Sequence, residues 1–294
     1  MTEFKFAQRR DFSSVINAAF EFFKQEGKLF MKTMLTYTGI PVIVMIASLV
    51  YMVMQLVNGQ FSAITNSPDP MSILTFFIPL FIFIVLAIVV QIVIMAASYG
   101  YMKVYHEKGK GNFSPSDVGQ QIVRNFFPII GYTFVISLLI MAGFIFFIIP
   151  GIYFAIILSL IFPIMFVEDG GLSKNFNRCF QVIKNHWWLT FAVLIVASLI
   201  VGIVGSIISV PLQFYLQFKI PTIAQSGDWS QVNIPFVVIS YVLLIILGIY
   251  LRAFVYIVTG IQYFSLNEND GSSTIMDRIN QIGEDSTTTE NNQQ

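Results

Sequence analysis

Arg252 stands inside the apolar run YVLLIILGIYLRAFVYIVTGIQYF, Tyr241 to Phe264, and is the one charge placed clearly within such a run. It lies about 12 residues, roughly 18 Å at helical rise, from the nearer polar flank, too deep for its side chain to reach water easily. An arginine at that depth costs at least ~2.5–3.5 kcal/mol on the insertion scale, so it needs a partner. No Asp or Glu lies at comparable depth in any other apolar run. Two neutral candidates are Gln91, at a similar depth in the second run, and the backbone carbonyl of Ser159, which Pro163 frees by lacking the N–H that would bond it. Two chemistries stay open: an arginine satisfied by hydrogen bonds, or a site for an anionic group such as a lipid phosphate.

Other reactive side chains are sparse. His106 and His186 are the only histidines, each without a second imidazole at ligand spacing, and Cys179 is the only cysteine. Neither a metal site nor an internal disulfide is expected, and Cys179 reads as a small packing residue. GKGNFSPSD, Gly109 to Asp117, lacks the spacing of a phosphate-cradling loop. An intramembrane enzyme would need paired carboxylates, a nucleophile with a base, or a metal cluster at depth, and the apolar runs carry none of these. No enzymatic activity, cofactor or nucleic-acid partner is expected. Glu168 closes the stretch IIPGIYFAIILSLIFPIMFVED, Ile148 to Asp169, where it can accept from free helical N–H groups or pair with Arg178 or Lys184. With Pro150, Gly151 and Pro163 it reads as a structural elbow. Ser198, Gly202 and Ser206 recur every fourth residue and are expected to pack helices within the bundle. Tyr241, Tyr250, Tyr256 and Tyr263 share the sixth run, as packing rings or as a cavity lining.

The elements that must position these groups follow from composition. Hydrophobic residues make up 56% of the 294 and charged ones 11%. The mean hydropathy is +0.75. Both lie outside the range of a soluble domain. The polar start up to about Phe30 lacks the order of a cleavable secretory signal. A bilayer core of roughly 30 Å asks for about 20 apolar residues per crossing, and six stretches satisfy it: 32–57, 73–102, 127–149, 151–168, 187–211 and 236–264. The third and fourth are one uncharged run split at Pro150–Gly151, which predicts a tight hairpin there. Of the 16 basic residues, only Lys219 falls on the side opposite the rest, and Arg252 lies within a span. The positive-inside bias then puts both termini in the cytoplasm.

The chain also resembles itself. A shift of 160 residues lays FSSVINAAFEFFKQEGKLF on LSKNFNRCFQVIKNHWWLT, matching Ser13 with Ser173, Asn17 with Asn177, Phe20 with Phe180 and Lys24 with Lys184, and later Gly100 with Gly260. A weaker third copy, QIVRNFF, lies on QVIKNHW. The expected fold is an all-α integral membrane protein: six transmembrane helices as three hairpin units (about 12–106, 113–168 and 172–268), each preceded by an amphipathic interfacial helix on the cytoplasmic side. These form one domain over 1–268, with a polar, partly disordered cytoplasmic tail at 269–294.

Pro150, Gly151, Ile152, Tyr153, Pro163, Glu168, Lys184 and Trp188, with the closing GIQYFSLNE, resemble the signature of a group of bacterial six-helix membrane proteins related to the membrane domain of glycerophosphoryl diester phosphodiesterase. The resemblance implies a six-helix fold in a bacterial inner membrane, and it implies no activity. On the residues, the expected function is a non-enzymatic scaffold or accessory subunit of a membrane complex, in contact with lipids and other membrane subunits. The alternative is a transporter or lipid-binding protein that uses Arg252 as an anion site.

Overall fold

The computed structural model describes residues 4–58, 69–226 and 232–291, with side chains in the last stretch described as far as Glu268. The described residues contain no strand. In chain order the helices are α1 (Phe12–Val57), α2 (Pro70–Lys108), α3 (Pro115–Phe146), α4 (Ile148–Leu158), α5 (Ile161–Glu168), α6 (Leu172–Ile183), α7 (Trp187–Ser226) and α8 (Ile234–Asn291). Six helical segments are long and apolar enough to cross a membrane: α1, α2, α3, the broken pair α4–α5, α7, and α8 as far as Glu268. The chain is therefore a polytopic, all-helical membrane protein. The tail 269–294 lies outside the described side chains.

Helix starts follow local chemistry. The Asp11 carboxylate accepts from the Ser14 N–H at 3.1 Å and from its hydroxyl, and these bonds hold it below the usual carboxylate pKa. Asp69 caps α2 in the same way, and Ser114 with Asp117 forms a capping box on α3. Proline at the first position of α2 and of α3 occupies a place where no helical N–H is needed.

The break between the third and fourth spans falls at Phe147, not at Pro150–Gly151. Phe147 is extended (φ −161°, ψ 146°), and Pro150 sits within the first turn of α4, where its missing N–H has no helical acceptor to serve. Gly151 has a different use: a Cβ on Gly143 would stand 3.0 Å from its Cα, so two glycines let α3 and α4 touch. A second interruption follows at Ser159–Leu160, four residues ahead of Pro163.

The segments that precede the spans differ from one another. Residues 12–29 are the first part of one 46-residue helix, since nothing between Phe12 and Phe30 interrupts the hydrogen-bond ladder. A helix continuous with its span is not a separate helix lying flat, which corrects the expectation for this segment. By contrast α6 is separate, ends in a turn at Lys184–His186, and buries Asn175, Cys179, Val182 and Ile183 on one stripe.

Helices α2 and α8 form the middle of the bundle, each packed on α1 and on the other, with α3 against α2 and α7 against α8. Ahead of α1, residues 4–10 fold back onto the bundle. Phe6 is buried against Phe22, Tyr105 and Phe264, and the backbone N–H of Arg10 donates to the Ser265 hydroxyl at 2.8 Å. Ser265 in turn donates to the Arg10 carbonyl at 3.1 Å.

Candidate functional site: an arginine in a side groove

Two kinds of polar site emerge, one at an end of the bundle and one in its middle. Ion pairs among the described residues gather at the end: Lys110 with Glu26 at 2.7 Å, Lys103 and Arg124 with Asp169 at 3.0 and 3.1 Å, Lys108 with Asp117 at 2.7 Å, and Arg178 with Glu168 at 2.9 Å. Two acids there also accept from tyrosines, Glu26 from Tyr101 at 3.1 Å and Glu168 from Tyr263 at 2.9 Å. Of the partners open to Glu168, the structure gives it Arg178, which also donates to Asn267 at 2.7 Å. Glu168 of α5 thereby contacts α6 through Arg178 and α8 through Tyr263. Asp169, in the left-handed region at φ 46°, turns the chain between α5 and α6 while binding Lys103 and Arg124.

In the middle, Arg252 on α8 donates to the Gln91 side-chain carbonyl on α2, and the Gln91 amide donates to the hydroxyl of Tyr256, one turn beyond Arg252. Gln91 is the partner that depth alone suggested. Ser159 is not: its hydroxyl donates to the Ile156 carbonyl at 2.7 Å, and Arg252 makes no bond to it. Arg252 remains exposed and looks into a groove of about 910 Å³ between α2, α3 and α8, with Met45 of α1 at its margin. The polar side chains on that lining are Gln91, Thr133, Ser137 and Arg252; the others are apolar. A guanidinium has five donors in a planar fork suited to a phosphate or carboxylate. One bond to a neutral amide uses one of those five donors.

A second cavity, of about 570 Å³ and lined almost wholly by apolar side chains, lies between the far ends of α1, α7 and α8. Tyr241 lines it, while Tyr256 accepts from Gln91 and Tyr263 donates to Glu168, so two of the four tyrosines of α8 have distinct hydrogen-bond partners and a third borders a cavity. Ser198 and Gly202 are not packed within the bundle, while Ser206 is half-buried. Ser198 and Gly202 face outward, a Cβ on Gly202 would meet nothing within 4 Å, and Ser206 bonds its own helix at the Ile203 carbonyl. The inner face of α7 carries Val193 and Ala197 instead. Cys179 is buried in α6, and burial pushes its thiol pKa up to about 12. The His106 ring packs on Phe264 with centroids 5.0 Å apart. Among the described residues no group of three or more His, Cys, Asp or Glu comes together as a metal site.

Several residues at the charged end escape a reading by span and charge. Glu26 has one usable signal: Val15, Ala19, Phe22, Glu26 and Phe30 fall at helical spacing, which places the carboxylate on the buried stripe. Asn175, buried and donating to the Tyr132 hydroxyl and the Gly170 carbonyl at 2.9 Å each, follows the same logic on α6. Phe4, Phe6 and Arg10 lie ahead of any periodic segment and give no such signal. Comparison with family models, curated proteins and solved structures finds no match for the chain.

Proposed function

We propose that this chain is a non-enzymatic, multi-pass membrane protein that holds an anionic lipid in the α2–α3–α8 groove through Arg252. The observation that carries the reading is a mid-span cation on the lining of an apolar groove, with a neutral amide as its hydrogen-bond partner among the described residues. A charge in hydrocarbon is stabilised by a counter-charge far more than by an amide, because the interaction is unscreened there. The test is native mass spectrometry of protein extracted in mild detergent. Wild type should carry a bound anionic lipid and Arg252→Gln should not, while keeping its fold. Equal lipid in both would remove the reading.

The setting we assign to it follows the distribution of basic residues. Both termini and the ion-paired end face the cytoplasm of a bacterial cell, and Lys24, Lys28 and Lys32, exposed at four-residue spacing on α1, meet anionic headgroups. Three hairpin units of common origin, with α6 as an interfacial helix, are supported by the self-similarity and by Gly100 and Gly260. A Cβ at Gly100 would come within 2.9 Å of Gln121, and one at Gly260 within 2.5 Å of Met102. Kinship with the glycerophosphoryl diester phosphodiesterase membrane-domain group rests on the Pro150-to-Trp188 motif. A second reading, an accessory subunit that docks a partner helix, is favoured by exposed Ser198 and Gly202, where a Cβ on Gly202 would meet nothing within 4 Å among the described residues. Gly202→Leu should then abolish co-purification of a membrane partner, and unchanged co-purification would dismiss it.

A further inference from the structure

The two cavities share part of their lining. Phe83 of α2 and Leu244 and Ile245 of α8 border both the Arg252 groove and the apolar cavity beyond it. Those three side chains stand where the two spaces adjoin, and we refer to them as the neck. At 1.5 Å per residue, the neck at Ile245 lies about 10 Å from Arg252 along α8, and Ile234, at the end of the second cavity, about 27 Å from it. Arg252 heads the tract, and beyond the neck Tyr241 supplies the only side-chain polar group on the lining among the described residues.

We infer that the tract selects its lipid by acyl-chain length: an anionic phospholipid places its phosphate on Arg252 and passes a chain through the Phe83–Leu244–Ile245 neck into the second cavity. This rests on the lipid-binding reading of Arg252 and adds to it a rule for which lipid is held. The chemistry follows from the surfaces. A phosphate matches the guanidinium fork, while a neutral headgroup drawn to this depth would bring no counter-charge. The chains of one leaflet fill about half of a roughly 30 Å core, so an eighteen-carbon chain reaches about 15 Å and passes the neck. An eight-carbon chain is less than half as long and ends before it. Because bulk lipid is as apolar as the tract, length selection comes from packing contacts past the neck and not from exclusion of water.

The experiment titrates full-length protein in detergent with phosphatidylglycerol carrying either two eighteen-carbon or two eight-carbon chains, with long-chain phosphatidylcholine as the neutral control. Wild type is expected to bind the long anionic lipid about tenfold more tightly than the short one, and the neutral lipid weakly. Ile245→Trp fills the neck and should bring the two anionic lipids to equal affinity by weakening the long one alone. Phe83→Trp narrows the neck from the facing helix and serves as the second variant if the first does not fold. Arg252→Gln should weaken both anionic lipids alike and preserve their ratio. A wild-type ratio near one, or a ratio unchanged by both tryptophan variants, overturns the length selection and leaves the Arg252 reading standing. No effect of Arg252→Gln on either lipid overturns the reading on which it rests.

Discussion

At the charged end, Glu26, only 4% exposed, is met by a lysine and a tyrosine hydroxyl, and Glu168 by an arginine and a tyrosine hydroxyl. In the middle of the bundle Arg252 is met by one neutral amide and a groove. The first arrangement is complete within the chain, and each acid joins helices distant in sequence. The second lacks a counter-charge and joins only α2 and α8. A closed set of charges fixes geometry; an unclosed one leaves capacity for something from outside. Where a polar group is buried matters less than whether the chain itself supplies its partner.

The largest expected effect is at the closed end. Arg178→Met strands Glu168 between α5 and α8 and should cost about 3 kcal/mol, the lower end for breaking a buried pair because both side chains keep some exposure. Chemical denaturation in detergent measures it. Glu26→Ala comes next: it leaves the buried Tyr101 hydroxyl without its acceptor, while the half-exposed Lys110 can turn to water, and the expected loss is about 2 kcal/mol. Arg252→Met should then change stability by less than about 1 kcal/mol, since losing the Gln91 contact is offset by removing a charge from hydrocarbon, yet it should abolish lipid retention. A loss as large as that of Arg178→Met would dissolve the contrast and make Arg252 structural. The smallest effect is at Cys179, where a thiol pKa raised to about 12 keeps the thiolate scarce at neutral pH. A maleimide should label it only after unfolding, and rapid labelling of the native protein would mean that α6 does not stay docked.

Six crossings were legible because hydrophobic length is a direct measure of hydrocarbon thickness, and Arg252 with Gln91 was legible because charge and depth can both be read from position in a run. Other features depend on contacts that no local pattern encodes. Pro150 marks the neighbourhood of the third turn, but proline also fits a helix's first turn, so the break slid to Phe147. A small-residue stripe tells that something can come close and not what does, so Ser198 and Gly202 turned outward while Ser206 stayed half-buried. Amphipathic spacing cannot say whether a helix stops before its span, hence the continuous α1 beside the separate α6. Phe4, Phe6 and Arg10 are buried by partners at Phe22, Tyr105, Phe264 and Ser265, too scattered along the chain to leave a trace in local sequence.

That last tie has a consequence in time. Arg10 and Ser265 are 255 positions apart, so Arg10 is synthesised well before the hydroxyl that binds it. At about 5–20 residues per second, roughly ten to fifty seconds of synthesis separate the two. Through that interval Phe4 and Phe6 can already meet Phe22 and Tyr105, while the Arg10 backbone waits for Ser265 and the Phe6 ring for Phe264. The Arg10–Ser265 pair therefore closes only once α8 is in place, a late tie between the segment ahead of α1 and the last span.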